Sequence, residues 1–253
     1  MSHNGGIDIP IYDSKYNGFL FEQHGVYLTE HDAFALPPVD KADFKSDLMG
    51  GGARLYIMLK EKTIKLTLKV ANDRLSPTLP DAGLYEVMQV LYQTEPKPLV
   101  VGERPDRYIN CLLNGSIEVK DHPGYTELNV PLLANDPLFY SFDEFQRTFQ
   151  AGIDNPLVME GNAPHFPEIE VSGIANSPTL TVTNDLGEFT LRYSGTIGAS
   201  DKWQIHTRDY RTNLNTGPSD YRCVKDHLVI APGLNKFRLS QGTMTIKYRW
   251  SFY

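Results

Sequence analysis

The sequence is poor in cysteine and tryptophan, with two residues of each among 253. Cys111 and Cys223 are too few and too far apart for the disulfide framework of a small secreted scaffold, so both are predicted to be reduced. No apolar run approaches the roughly 20 residues that a membrane-spanning helix needs. The N-terminus also lacks the basic and apolar segments of a signal peptide. These absences predict a protein made in, and soluble in, a cytoplasm.

An excess of basic residues is missing too. The 31 acidic and 24 basic residues give a net charge of −7, which is the wrong sign for a surface built to bind phosphate backbones. A hydrophobic fraction of 41% is enough to bury a core. Twelve Phe and fourteen Tyr residues favour sheets, because aromatic side chains pack well on pleated surfaces.

Recognisable catalytic motifs are absent. The sequence contains no Gly-x-Ser-x-Gly elbow, phosphate-binding Gly-rich loop or dinucleotide fingerprint, and its seven histidines lack the local spacing of a metal site. Glu168 and Glu170 lie two residues apart on a predicted strand, so their Cα atoms are about 6–7 Å apart on one side. Paired carboxylates at such a distance serve glycosidases, and they also occur on solvated strand faces. The sequence therefore predicts no enzyme, no cofactor and no metal site, with this pair as the one enzymatic hypothesis.

Two periodic patterns characterise residues 1–140, which are predicted to form a β-rich domain with one helix. In the second part of the stretch 54–70 the chain alternates from residue 64 onward, with Lys65 and Lys69 on the polar face, which predicts a half-buried strand protected against edge pairing. Asp81 is a good N-cap for a helix over 81–94. Four residues form the apolar stripe of that helix: Leu84, Val87, Met88 and Leu91. The Gly50-Gly51-Gly52 run is predicted to be a flexible loop.

The stretch from 107 to 140 predicts three successive antiparallel strands. Asn114-Gly115 suits a two-residue type I′ hairpin, since both central residues of that turn need positive φ. Pro123-Gly124 marks the second turn, and Asn135-Asp136-Pro137 ends the domain.

Residues 141–163 are interpreted as a linker in which Phe142, Phe145 and Phe149 form one or two helical turns. Residues 164–253 predict a β-sandwich of short strands separated by Gly, Pro and Asn turns. The predicted strands are 168–171, 179–183, 188–193, 202–207, 221–225, 228–230, 236–240 and 243–253. Gln241-Gly242 is predicted to join the last two strands as a tight hairpin.

Aromatic residues in this second half raise the alternative of a carbohydrate-binding module for host cell-wall attachment. Trp203 and Trp250 lie on predicted strands, where core packing competes with an exposed role. Tyr210 lies in the polar segment 208–220, which is predicted to be an exposed loop, and loops on rigid scaffolds often carry recognition. The alternative predicts that Tyr210→Ala or Trp203→Ala abolishes glycan binding without unfolding the protein.

Several segments resemble the distal tail protein (Dit) family of siphophages, which forms the baseplate hub at the tail tip. In the first half the resemblance rests on LYEVMQVLYQ at 84–93, RPDRYINCLLNG at 104–115 and NDPLFYS at 135–141. In the second half it rests on GNAPHFPEIEVSG at 161–173, TVTNDLGEFTL at 181–191 and LVIAPGLNKFRLSQGTMTIKYR at 228–249. The resemblance implies a mainly-β, two-domain virion protein with a C-terminal galectin-like β-sandwich.

The resemblance also implies assembly. Such proteins form homohexameric rings, built in the host cytoplasm, that join the tail tube protein to the tail-associated tip protein and the receptor-binding apparatus, with DNA passing through the channel. Six chains of −7 would carry a formal charge of −42, which suits passage of a polyanion. Four residues are candidates for protein interfaces: Lys65, Lys69, Tyr210 and Arg211.

Overall fold

The computed structural model describes residues 11–45, 52–71, 82–225 and 228–253. Strands dominate these residues and there is one α-helix among them, so the prediction of a mainly-β protein is confirmed. The chain divides into two compact units, one formed by residues 1–139 with Tyr253 and the other by residues 140–252.

The first unit is built on an antiparallel sheet. Its strands are β1 (Lys15–Tyr16), β2 (Phe19–Leu20), β3 (Val26–His31), β4 (Val39–Lys45), β5 (Gly52–Leu59), β6 (Lys62–Ala71), β7 (Lys97–Val100), β8 (Arg107–Leu113), β9 (Glu118–His122) and β10 (Tyr125–Ala134). A 3₁₀ turn covers Phe21–His24, α1 covers Ala82–Leu91, and β11 (Phe139–Ser141) spans the division between the units. Seven strands follow the order β2-β1-β7-β8-β10-β6-β3, and β9 pairs with β10.

Strand β6 confirms the alternation read from the sequence. Ile64, Leu66 and Leu68 are buried, while Lys65 is exposed and Lys69 is half-buried on the opposite face. The expected edge-protecting role of the lysines is wrong, because β6 is paired along both sides, with β10 and with β3. A strand in the middle of a sheet has no free edge to protect.

Helix α1 covers the central part of the predicted helix and ends three residues before Thr94. Val87 and Leu91 are fully buried, whereas Leu84 and Met88 are half-buried, so the apolar stripe is confirmed with Val87 and Leu91 at its deepest positions. The proposed N-cap, Asp81, lies outside the described residues.

The Asn114-Gly115 hairpin prediction is wrong. Strands β8 and β9 do not pair with each other in this fully described stretch; both pair with β10, at opposite ends of that ten-residue strand. A type I′ turn requires positive φ at both central residues. Gly115 has a φ of +107°, but the φ of Asn114 is not positive. The Pro123-Gly124 turn is confirmed, because His122 and Tyr125 pair directly and Gly124 has a φ of +100°.

Strands β4 and β5 form a separate two-stranded hairpin that pairs with no other strand of the described chain. The amide of Lys60 donates to the carbonyl of Pro38 at 2.8 Å, which closes the base of the hairpin. Gly52 begins β5, while Gly50 and Gly51 of the predicted flexible loop lie outside the described residues.

The second unit is a sandwich of two antiparallel sheets. Its strands are β12 (Phe145–Gln150), β13 (Asn155–Met159), β14 (Glu168–Ser172), β15 (Ala175–Asn176), β16 (Thr179–Asn184), β17 (Gly187–Tyr193), β18 (Thr196–Ile197), β19 (Lys202–His206), β20 (Arg211–Leu214), β21 (Gly217–Pro218), β22 (Cys223–Lys225), β23 (Gly233–Leu239), β24 (Thr243–Tyr248) and β25 (Ser251–Phe252), with a 3₁₀ turn at Asp220–Arg222. One sheet, here the E-sheet, has the order β12-β24-β14-β19-β20-β21, and the other, the F-sheet, has the order β13-β23-β16-β17-β22. Their inner faces share one core that includes Val171, Trp203, Val182 and Phe237.

The segment 141–163 carries strands β12 and β13, one in each sheet of the sandwich, where a linker was expected. Phe145 and Phe149 pair with Tyr248 and Met244 and pack against the core. A spacing of four residues places side chains on one face of a helix and equally on one face of a strand. Pairing with β24 selects the strand.

Two further predictions in this half need correction. Residues 228–230 form no strand and contribute one isolated bridge, between Ile230 and His165. The Gln241-Gly242 turn does not make a hairpin, because β23 belongs to the F-sheet and β24 to the E-sheet. The turn instead carries the chain from one layer of the sandwich to the other.

Candidate functional site

The structure places the four predicted interface residues in two separate pairs. Lys65 and Lys69 project from one face of β6 in the first unit, while Tyr210 and Arg211 lie at the start of β20 in the second. Each pair is therefore a candidate surface of its own unit.

Lys65 and Lys69 belong to the polar outer face of the first sheet. Lys69 lies opposite Glu127 on β10, and its ammonium is 4.9 Å from the centre of the Tyr125 ring. Lys65 is opposite Pro131, and its backbone amide donates to the carboxylate of Asp32 at 2.6 Å. Such pairing leaves Lys65 the more exposed cation of the two.

Hydrogen bonds run across this face from strand to strand. The Thr29 hydroxyl donates to the carbonyl of Thr67, and the Thr67 hydroxyl donates to Asn129 at 3.2 Å. The Asn129 amide then donates to Glu118 at 3.3 Å. Beside this chain of contacts lies a depression of about 540 Å³ lined by Asp32, Lys65 and Glu118, among others. The face is thus a fixed polar surface with an indentation.

Sequence reasoning missed a buried ionisable pair near this face. The side chain of Lys62 is almost fully buried, and its ammonium donates to the carbonyl of Ala33. Burial lowers the pKa of Lys62. His31 accepts from the amide of Ala33 at 3.2 Å and lies 3.6 Å from Glu103. Burial lowers the pKa of His31, although the nearby Glu103 carboxylate acts in the opposite direction and raises it. Both side chains hydrogen-bond the backbone of Ala33 beside the start of β6, and neither belongs to an exposed reaction centre.

Helix α1 presents a second feature that the sequence analysis did not single out. Tyr85 lies on the helix and Tyr92 directly follows its last residue; they are 65% and 63% exposed. Large aromatic side chains this exposed are common at protein contacts. The signal was present in the sequence, since both tyrosines lie outside the Val87/Leu91 stripe.

Tyr210 lies in a short turn and not in a long loop. It has a left-handed φ of +54° and is 40% exposed, and burial of the remainder raises its pKa. The segment that follows forms the paired strands β20 and β21. Arg211 is exposed and lies opposite His206 on β19.

Trp203 is fully buried between the sheets, where its ring lies 5.4 Å from that of Tyr193. It therefore provides no exposed platform for a sugar. Trp250 is half-buried and stacks on Phe145 at 4.6 Å. Core packing accounts for both residues.

Glu168 and Glu170 point to the same side of β14, as predicted. Glu168 is opposite Lys247 and His206, and Glu170 accepts from Lys202 at 3.0 Å. Both carboxylates are thus flanked by lysines on an open strand face, which is not the arrangement of a catalytic pair.

Neither Cys111 nor Cys223 forms a disulfide, as predicted, and one cysteine lies in each unit. Burial raises the pKa of Cys111 to about 12, which makes its thiol unreactive. No group of three or more His, Cys, Asp or Glu side chains in the described parts of the chain is arranged to hold a metal ion. Within those same parts, no helix is long and apolar enough to cross a membrane.

Comparison with solved structures defines the class of fold. The chain is similar to the crystal structure of the SPP1 Dit (gp 19.1) protein, described as a paradigm of the hub adsorption apparatus in phages that infect Gram-positive bacteria. The TM-score is 0.71 at 14% sequence identity, over 95% of this chain and 98% of that chain. The predicted resemblance to a distal tail protein is thereby confirmed at the level of the fold, across both units.

Two further neighbours are chains of the phage P2 baseplate in its activated conformation. With Ca the TM-score is 0.39, and with Sr it is 0.40; both show 11% identity over 90% of this chain and 92% of that chain. No protein-family model and no curated protein sequence matches the chain.

Proposed function

We propose that this protein is a structural component of a siphophage tail, a hub at the distal end of the tail tube. The observation that carries the proposal is the likeness to SPP1 Dit, which extends over nearly the whole of both chains. In this proposal six copies close into a ring that joins the tail tube protein to the tail-associated tip protein and the receptor-binding apparatus. The ring leaves a channel for DNA and is assembled in the host cytoplasm into the virion.

The β4–β5 hairpin supports an assembling role. An isolated two-stranded hairpin is marginally stable in water, and this one pairs with no third strand in the described chain. The sequence of β5 is apolar throughout 55–59. A neighbouring copy would supply a partner for this two-stranded hairpin.

A closed ring needs two different complementary patches on each subunit, because its contacts are heterologous. We assign one patch to the Lys65/Lys69 face and place the ring contacts mainly in the first unit. Tyr210 and Arg211 then serve as a contact of the second unit with another tail-tip protein.

The solution mass tests the proposal directly. Light scattering on the purified chain is expected to show about 171 kDa, six times the 28.5 kDa of one chain, and negative-stain images are expected to show particles with a central hole. A mass of 28.5 kDa at every concentration up to several milligrams per millilitre would contradict a ring that closes by itself.

A hairpin-replacement variant tests whether the β4–β5 hairpin forms the ring contact. Because Pro38 and Lys60 are hydrogen-bonded neighbours, a short Gly-Ser linker can replace residues 39–59 without separating β3 from β6. The variant is expected to keep its far-UV circular dichroism spectrum and to lose the ring. A ring that persists without the hairpin would remove the hairpin from the assembly contact.

A further inference from the structure

The outer face of the E-sheet is polar at each of ten adjacent positions. Strand register aligns them in two rows across β12, β24, β14, β19 and β20. The first row is Gln146, Lys247, Glu168, His206 and Arg211, and the second is Thr148, Thr245, Glu170, Gln204 and Asn213. The outer face of the F-sheet differs, since it exposes Val158 opposite Leu234 and also Val224.

This polar face is indented. A depression of about 260 Å³ lies over Glu170, Gln204, His206 and Thr245. Two more, of about 180 and 270 Å³, adjoin it through their shared lining residue Glu168.

Aromatic surface borders the indentation at one end. Phe166 and Tyr140 line both of the depressions that adjoin the central one. The Arg208 guanidinium lies 5.2 Å from the Phe166 ring and donates to the Tyr140 hydroxyl at 2.9 Å. These contacts hold the aromatic border in place before any ligand arrives.

The charges of the central depression balance. Two carboxylates, Glu168 and Glu170, face two ammonium groups, Lys202 and Lys247, and Lys202 is bound to Glu170 at 3.0 Å. A site for a phosphate-rich polymer would instead carry a positive excess. The remaining groups are amides, hydroxyls and an imidazole, which both donate and accept hydrogen bonds. Sugar hydroxyls have the same dual character.

From these observations we propose that the outer face of the E-sheet binds a short neutral oligosaccharide. Gln204, Thr245 and Glu170 contact hydroxyl groups over the central depression, His206 lies at its edge, and Phe166 packs against an apolar face of a neighbouring sugar ring. The site is separate from the Trp203 and Tyr210 positions that the sequence favoured. It does not depend on whether the chain forms a ring.

Saturation-transfer-difference NMR tests the site, because it reports on the ligand whatever the mass of the protein. The full chain is mixed separately with millimolar lactose, maltose, N,N′-diacetylchitobiose and methyl rhamnoside. At least one sugar is expected to receive saturation. The double variant Gln204→Ala/Thr245→Ala is expected to bind it roughly tenfold more weakly, since each lost hydrogen bond weakens binding several-fold.

The control is Thr181→Ala/Thr190→Ala, a cross-strand pair on the outer face of the F-sheet, which is expected to bind the sugar as the unmodified chain does. Circular dichroism melts establish that all variants are folded, and Glu170→Gln provides a second, shape-preserving probe. No saturation of any of the four sugars would overturn the proposal, and so would unchanged binding by both Gln204→Ala/Thr245→Ala and Glu170→Gln. Saturation of glycerol phosphate in place of the sugars would overturn the assignment of a neutral ligand.

Discussion

The aromatic side chains of the second unit differ in burial, and this difference distinguishes core residues from surface residues. Trp203 is fully enclosed, with Tyr193 and the apolar residues of both sheets around it, whereas Tyr210 is 40% exposed at a turn. Both were candidates for an exposed recognition residue when only the strand pattern was known. Trp203 faces inward because of the register of β19, which is decided by pairing with other strands, whereas Tyr210 lies in a turn.

Trp203→Ala is expected to destabilise the second unit by about 3–5 kcal/mol, because it leaves a large cavity in a packed core. Tyr210→Ala is expected to cost less than about 1 kcal/mol, since 40% of the residue is already exposed to water. Urea unfolding followed by circular dichroism measures both. Equal losses in the two variants would contradict the different burial of these residues.

His165 gives the second unit a sensitivity to acid. The ring is buried, its Nδ1 lies 3.4 Å from the carbonyl of Arg249, and its Nε2 has no hydrogen-bond partner among the described residues. Burial lowers the pKa of His165 in the folded chain, below the value of about 6.5 for an unfolded histidine. The unfolded state therefore binds a proton first as the pH falls.

Above about pH 6.5 the free energy of unfolding is expected to be undiminished by His165. It is expected to fall as the pH drops from there through the lower pKa that His165 has in the folded chain. His165→Gln removes the titrating group, so its stability is expected to depend less on pH over this range, although it is lower overall. Tryptophan fluorescence during urea unfolding reports the second unit alone, because Trp203 and Trp250 both lie there. Parallel pH profiles for the two proteins would remove His165 as the cause.

At the scale of elements, Gly242 controls the crossover from β23 to β24. Its φ is +91°, and a Cβ atom there would come within 2.8 Å of the Ser172 carbonyl oxygen. Gly233 has the same φ of +91° with open space around it. The two glycines thus share the conformational requirement and differ in the close approach.

Gly242→Ala is expected to destabilise the second unit more than Gly233→Ala. The shared left-handed conformation costs about 1–2 kcal/mol with a side chain, and the contact with Ser172 adds to that only at Gly242. Thermal unfolding of the two variants measures the difference. Equal melting temperatures would mean that the backbone at the crossover shifts to accommodate the Cβ atom at position 242 without a loss of stability.

Most strands were predictable because their residues alternate and their ends carry turn residues. The exceptions share a cause. Phe145 and Phe149 satisfy both the helical and the strand period, and Asn114-Gly115 has local hairpin chemistry that β10 overrides by pairing with both neighbouring strands. Local sequence ranks the possible structures of a segment, and the available partners choose among them.

At the scale of the whole molecule, the proposed ring predicts a specific sensitivity of the Lys65/Lys69 face. Lys65→Glu/Lys69→Glu is expected to reduce or abolish the 171 kDa species, six times 28.5 kDa, because a charge-complementary patch becomes repulsive. Light scattering measures the loss. The matched variant Lys236→Glu/Arg238→Glu, on exposed positions of β23 in the second unit, is expected to assemble normally.

The folding of Lys65→Glu/Lys69→Glu needs its own measurement, because Lys69 lies opposite Glu127 and like charges across strands are unfavourable. A melting temperature near that of the unmodified chain makes a loss of assembly interpretable. An intact ring in this folded variant would show that the face is not a ring contact.

The sequence alone determined the class of the protein: a mainly-β chain with one helix, reduced cysteines and a half-buried β6, because composition and residue alternation act locally. Its family resemblance also indicated the Dit-like fold that the structure shares with SPP1 Dit. Tertiary structure alone decided that 141–163 joins the sandwich, that Gly242 turns between two layers and that Trp203 lies inside. It also assembled the polar face of the E-sheet from five strands that are distant in sequence. Such features depend on which strands pair, and long-range pairing leaves no periodic mark in the sequence of either partner.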